Sequence, residues 1–169
     1  MKQILTEWRK YITEEDNLEQ NLYSFDFDNT LIRYHTLEDG DVEYLGPHEE
    51  NIQKVRDLAA AGHTVIIVTS RFGPLVGPKK PWDDAPTPEE LIADLGLPIE
   101  VVEYTSGEAK VKKLLELGVS KHWDDDREEL KALEGSGIDG EYVPVPGEET
   151  ELLRNKWKDH LAKSEEETI

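Results

Sequence analysis

The sequence predicts an α/β fold built on a mainly parallel sheet, and three observations carry that expectation. Short apolar runs alternate with segments of helical spacing along most of the 169 residues. The run Thr64-Val-Ile-Ile-Val-Thr69 is continuously apolar and β-branched, as a strand covered on both faces must be. Helical segments stop at Gly62, Gly96 and Gly118, and an apolar run follows each stop.

Each element has a local reason. Ile4, Leu5, Trp8, Tyr11 and Ile12 share one face of an N-terminal helix over 3–15. Leu22 to Phe27 is short, aromatic and apolar, which predicts a strand. Arg33 to Leu45 contains Asp39-Gly40, the dipeptide of a tight hairpin turn. Ile52, Val55, Leu58 and Ala59 recur at helical spacing up to Gly62. Residues 71–88 hold five of the nine prolines and predict a long loop of the sort that serves function. Thr87-Pro88-Glu89-Glu90 then starts a helix, with Thr87 as N-cap, Pro88 at the first position and Glu90 closing a capping box. Ile99 to Tyr104 predicts a strand, Glu108 to Leu117 a helix, Val119 to Trp123 a strand, Glu128 to Leu133 a helix, and Tyr142 to Val145 a short strand. Leu152, Leu153, Trp157 and Leu161 define a C-terminal helix over 148–163, followed by a frayed acidic tail over 164–169. The expectation is a single domain over 1–163, with both terminal helices as additions.

Composition excludes several functions. With 38 acidic and 19 basic residues the net charge is -19, so the chain is unsuited to coating nucleic acid or to binding anionic membranes. It has no cysteine, hence no disulfide, thiolate nucleophile or Cys-zinc site. The first residues lack the apolar stretch of a secretion signal and no segment has the length of a membrane span, so a cytoplasmic location is expected.

In open parallel sheets the chemistry gathers beyond the carboxyl ends of the strands. Four features stand there. The first strand runs into Phe25-Asp26-Phe27-Asp28-Asn29-Thr30, and two carboxylates so close to a buried strand are costly unless a cation or donor pairs with them. A hydrated Mg2+ would serve, and so would an ordinary turn with an aspartate at a helix start. The next apolar strand ends in Thr69-Ser70-Arg71, where hydroxyls, free N–H groups and a guanidinium are available to a phosphate. Lys110 stands in the first turn of a helix, where the dipole disfavours a cation, so a nearby anion is expected. Trp123-Asp124-Asp125-Asp126 closes a later strand with three adjacent carboxylates, of which a helix N-cap accounts for one or two.

In this order the four features resemble those of the haloacid dehalogenase-like hydrolase superfamily, which consists mostly of Mg2+-dependent phosphatases. Phe25-Asp26-Phe27-Asp28-Asn29-Thr30-Leu31 is similar to its first motif, Val65 to Ser70 to its second, Lys110 to its third and Trp123 to Asp126 to its fourth. The resemblance spans about residues 20–146. It implies a Rossmann-like three-layer sandwich with a short flap hairpin and no large cap domain.

The resemblance also implies roles. Asp26 is the expected nucleophile and Asp28 the general acid and base, which requires partial protonation of Asp28 and so a pKa raised by burial. Thr69 and Lys110 are expected on the phosphoryl oxygens, with Asn29, Thr30, Ser70 and Arg71 around the substrate; the choice between Thr69 and Ser70 stays open. Mg2+ is expected between Asp26, the backbone carbonyl of Asp28 and Asp125, with Asp124 or Asp126 in support. The substrate is expected to be a phosphorylated small molecule, such as a nucleotide, or the phosphorylated end of a polynucleotide or protein. Only the hairpin and the loop over 71–88 are available as lids, and the oligomeric state is left open. Two other classes compete. One is a non-catalytic module that keeps the fold and a cation. The other is a phospho-acceptor receiver, whose acidic pair precedes its acceptor and whose lysine comes last, an order that does not match here.

Overall fold

The computed structural model describes residues 20–39, 41–73 and 85–145, together with helical residues 151, 155, 158 and 159. The helix expected over 3–15, the tail over 164–169, most of the helix over 148–163 and the middle of the loop over 71–88 lie outside the described residues.

The central sheet has five parallel strands in the order β5-β4-β1-β6-β7. These are β1 (Leu22–Phe25), β4 (Thr64–Thr69), β5 (Val102–Tyr104), β6 (Lys121–Asp124) and β7 (Asp139–Tyr142). A separate antiparallel hairpin, β2 (Ile32–Thr36) and β3 (Val42–Pro47), follows the first strand. Four helices connect the rest: α1 (Glu49–Ala60), α2 (Pro88–Leu95), α3 (Val111–Leu117) and α4 (Arg127–Ala132).

Strand alternation divides the core into two apolar layers. Phe25, Val65, Ile67 and Trp123 face Ile52 and Val55 of α1 and Leu91 of α2. Leu22, Ile66 and Val68 face the other way, against Leu114 of α3 and Leu133 just past α4. The result is the expected three-layer sandwich. Among the described residues the insertion after β1 is the hairpin alone, whose Ile32 and Tyr34 are buried in the first layer. No helix among them is long and apolar enough to cross a membrane.

Local chemistry explains most boundaries. The α2 capping box forms from both sides, with Thr87 accepting from the Glu90 N–H and Glu90 accepting from the Thr87 N–H, each at 3.1 Å. The helix ends at Gly96, whose φ of 60° lies in the left-handed region that glycine adopts without penalty. Several boundaries differ from expectation, β1 ending at Phe25 and β6 starting at Lys121 among them, and three are instructive. β5 begins at Val102 rather than Ile99; Ile99 and Val101 are buried in the two layers, so their apolar character reflects packing rather than strand pairing. The last strand is Asp139–Tyr142, earlier than 142–145, because an exposed edge strand carries no apolar run to mark it. Helix α3 begins at Val111, which makes Lys110 its N-cap residue rather than a member of its first turn.

Candidate active site

The strand order reverses at β1, which has β4 on one side and β6 on the other. The crevice beyond those three carboxyl ends is where the predicted residues meet. Directly after β1 the chain turns tightly: Thr30, Leu31 and Ile32 all donate their N–H groups to the Phe27 carbonyl. Asn29 takes a left-handed φ of 59°, which asparagine tolerates better than most residues, and its Oδ1 accepts from the Tyr34 N–H at 3.1 Å. The turn leaves Asp26 and Thr30 buried and adjacent, with the Thr30 hydroxyl 3.3 Å from Asp26 and 3.5 Å from Asp125.

Lys110 is the hub. Its Nζ donates to Asp26 Oδ1 at 2.8 Å and to Asp124 Oδ2 at 2.7 Å, all three side chains being almost fully buried. Asp26, Asp124 and Asp125 bring carboxylate oxygens within 4.8 Å of one another. One ammonium thus serves two carboxylates, with a third beside them. Burial, followed by the charge of Asp124, pushes the Asp26 carboxyl up to about 7, against the opposing effect of Lys110. Burial acts on Lys110 and Asp124 as well, but there the mutual charges and hydrogen bonds outweigh it. Lys110 is held well above its ordinary value and Asp124 below its own.

The second ion pair is of another kind. Arg71 grips Asp28 with two parallel bonds, Nε to Oδ2 at 2.8 Å and Nη2 to Oδ1 at 2.6 Å, and its Nη2 also donates to the Tyr34 hydroxyl at 3.0 Å. The guanidinium lies 4.8 Å from the Phe27 ring centroid. Burial would lower the Arg71 pKa, but Asp28 raises it further.

The structure therefore brings Asp26, Thr30, Lys110, Asp124 and Asp125 into one cluster, with Asp28 and Arg71 paired next to it. Thr69 is buried at the end of β4, its hydroxyl accepting from the Arg71 N–H at 3.2 Å, whereas Ser70 is exposed. Arg71, expected around the substrate, is paired with Asp28, a contact the sequence reading did not assign to either residue. Asp126 stands outside the carboxylate cluster: its side chain accepts from the Glu128 N–H at 2.9 Å and caps α4. Three participants carried no role in the sequence reading. His122 bonds Asp124 at 2.8 Å, Ser24 bonds His122 at 2.7 Å, and Glu129 accepts the Lys110 N–H at 3.0 Å. A signal existed for two of them, since Ser24 and His122 each stand two residues before a site aspartate and therefore on the same strand face.

The donor set suits a hard divalent cation. The three candidate ligands are carboxylates, and negative charge remains after Lys110 is counted against Asp26 and Asp124.

No protein-family model matches the chain, and no curated protein matches it. Among solved structures it is similar to a hypothetical protein of Xanthomonas campestris, at 23% identity and a TM-score of 0.46, over 75% of this chain and 66% of that one. It is also similar to a putative 3-deoxy-D-manno-octulosonate 8-phosphate phosphatase of Vibrio cholerae, at 17% identity and 0.45, over 81% and 71%. The corresponding phosphatase of Moraxella catarrhalis, in complex with magnesium, phosphate and the sugar, matches at 19% identity and 0.43, over 70% and 64%. The chain spans about two thirds of the length of these proteins.

Proposed function

We propose that this chain is a Mg2+-dependent phosphomonoester hydrolase of the haloacid dehalogenase-like kind. The observation that carries the proposal is Lys110 bridging Asp26 and Asp124, with Asp125 within 4.8 Å. Such a cluster offers one place for a divalent cation and, beside it, a buried ammonium for the phosphoryl oxygens.

Asp26, Asp124 and Asp125 would hold the cation, with the Asp28 backbone carbonyl in support. The bound ion supplies charge neutralisation on the phosphoryl group and lowers the proton affinity of Asp26. Asp26 Oδ attacks phosphorus in line, the bond from phosphorus to the leaving oxygen breaks, and Asp28 gives that oxygen a proton. Water then attacks the phosphorus of the aspartyl-phosphate while Asp28 takes its proton. Inorganic phosphate leaves and the Asp26 carboxylate is restored. Lys110 and Thr69 hold the phosphoryl oxygens through both steps. Arg71 fixes the Asp28 carboxylate in place, and the proton transfers use an oxygen released from that contact.

The substrate class is a phosphomonoester on a small molecule, or on the end of a larger one, since among the described residues the insertion after β1 is only a hairpin. Long-range repulsion from the acidic surface leaves capture to the cation and Lys110. A second reading, a non-catalytic cation-binding module, draws on one observation: Arg71 occupies both oxygens of Asp28.

Phosphate release from an aryl phosphate, a sugar phosphate, nucleoside monophosphates and a 3'-phosphorylated oligonucleotide tests the proposal. Turnover that requires Mg2+ and disappears in Asp26→Asn is expected. Equal turnover in wild type and Asp26→Asn contradicts it, and Mg2+ binding without turnover on any substrate favours the second reading.

A further inference from the structure

Behind the carboxylate cluster, a line of polar side chains runs through a layer that is otherwise apolar. Ser24 and His122 are register partners on β1 and β6, so the period of two turns both side chains to the same face of the sheet. Asp124, two residues beyond His122, shares that face. The apolar layer on that side of the sheet includes Leu22, Ile66, Val68, Leu114, Val119 and Leu133. Ser24, His122 and Asp124 are completely buried.

Polar groups in such a layer persist when every one is satisfied. Here they are. Ser24 Oγ lies 2.7 Å from His122 Nδ1, His122 Nε2 lies 2.8 Å from Asp124 Oδ2, and Lys110 Nζ carries the line on to Asp26. Asp124 is an acceptor, so the ring hydrogen belongs on Nε2, which leaves Nδ1 to accept from the Ser24 hydroxyl. Asp124 Oδ2 then has two donors, His122 and Lys110. Its Oδ1 has one, the Asp126 N–H at 3.0 Å. A carboxylate offers about four acceptor sites, so one on Oδ1 stays available.

We propose that His122, backed by Ser24, is a positioning residue that fixes the rotamer of Asp124 and so sets both the Lys110 bridge and the cation site. This rests on Asp26, Asp124 and Asp125 being that site. His122 acts throughout as a neutral donor and does not change charge. Without the ring, a single donor from the lysine would hold Oδ2, and Asp124 could turn about its side-chain bonds. Hydrogen-bond partners behind metal ligands typically contribute 10–100-fold to metal affinity or activity.

The experiment is calorimetric Mg2+ binding to metal-free protein, together with kcat and KM on an aryl phosphate, for wild type, His122→Leu, His122→Gln and Ser24→Ala. The Gln Nε2 can stand where the ring Nε2 stands, so it retains the donor to Asp124 and loses only the link to Ser24. Expected are a Kd for Mg2+ weakened about 10–100-fold in His122→Leu, and similar, smaller losses of about 3-fold in His122→Gln and Ser24→Ala, which both keep a donor on Asp124 and lose the Ser24 link. kcat should follow the metal affinity, with KM for the phosphate ester little changed. Wild-type Mg2+ affinity in His122→Leu overturns the proposal, and so does an equal loss in the Leu and Gln variants, which marks a merely structural histidine. Should His122→Leu fail to fold, an unaltered Kd in Ser24→Ala overturns it. A wild type that binds no Mg2+ defeats the cation site itself, an outcome distinct from any of these. A wild type that binds Mg2+ without turnover leaves the Kd comparison intact.

Discussion

Two ion-pair arrangements lie side by side at the end of β1, and they differ in how their charges are matched. Arg71 and Asp28 form a closed unit of one guanidinium and one carboxylate, joined by two parallel hydrogen bonds. Lys110 is a point charge divided between Asp26 and Asp124, with Asp125 close by. The first is complete without a ligand. The second carries its imbalance visibly, in an Asp26 carboxyl pushed up to about 7 despite a direct contact with an ammonium. One arrangement matches its charges one to one, and the other leaves carboxylate charge in excess of its lysine.

Removing either carboxylate that the proposed reaction uses, one from each arrangement, should have the largest consequences. Asp26→Asn should lower Mg2+-dependent phosphate release by about 10⁶-fold, as loss of a nucleophile does, with the fold unchanged by circular dichroism. Asp28→Asn should cost less, about 10²–10⁴-fold, because it removes proton transfer and keeps the nucleophile.

The two cations should respond differently to removal. Lys110→Met leaves buried carboxylates facing one another, and a loss of about 3–5 kcal/mol is expected in urea unfolding with chelator present. Added Mg2+ should restore part of it by binding the folded state. Arg71→Met should also destabilise, by about 1–3 kcal/mol, since Asp28 is partly exposed and is left without its guanidinium. Mg2+ should not repair that variant. Equal rescue of both would erase the distinction between the arrangements.

The raised Asp26 pKa sets a pH dependence of defined sign. Between the unfolded value of 3.8 and the folded value of about 7, the folded metal-free chain holds a proton that the unfolded chain has released. Stability from this group therefore falls as pH rises through that window and is constant above it. Asp124, lowered below 3.8, acts in reverse and contributes stability above that value, lost as pH falls further. Cation binding must displace the Asp26 proton, so Mg2+ affinity should weaken about tenfold per pH unit below about 7 and level off above it. Calorimetry across pH reads the slope directly.

The smallest effect is expected at the start of α2, outside both ion-pair arrangements. Thr87→Ala removes one half of the capping box of α2 and should cost about 1 kcal/mol without altering turnover.

What the sequence disclosed follows from the range of the forces involved. Strand β4 and the caps of α2 were legible because they are written in consecutive residues: a continuous β-branched run, and a threonine, proline and glutamate at fixed spacing. The edge strand at Asp139–Tyr142 was misplaced because Asp-Gly-Glu-Tyr has no apolar pattern, and its partners on β6, the backbone together with Lys121 and Trp123 for the Asp139 and Glu141 side chains, are distant in sequence. Lys110 was expected near an anion on dipole grounds and meets two, yet its place at the N-cap, with the backbone N–H held by Glu129, depends on contacts between elements. The Arg71–Asp28 pair joins residues 43 apart in sequence, and nothing local to either announces it. The buried line from Ser24 to Asp124 could be read only once β1 and β6 were known to be neighbours in register.

The central claim is that the cluster bridged by Lys110 is a divalent-cation site serving phosphoryl chemistry. Its most direct test is calorimetric titration of Mg2+ into metal-free protein at about pH 8, above the Asp26 transition, for wild type and Asp125→Asn. Saturable binding of about one ion per chain, weakened at least about tenfold in the variant, is the predicted result. No binding in wild type, or identical binding in both proteins, would contradict it.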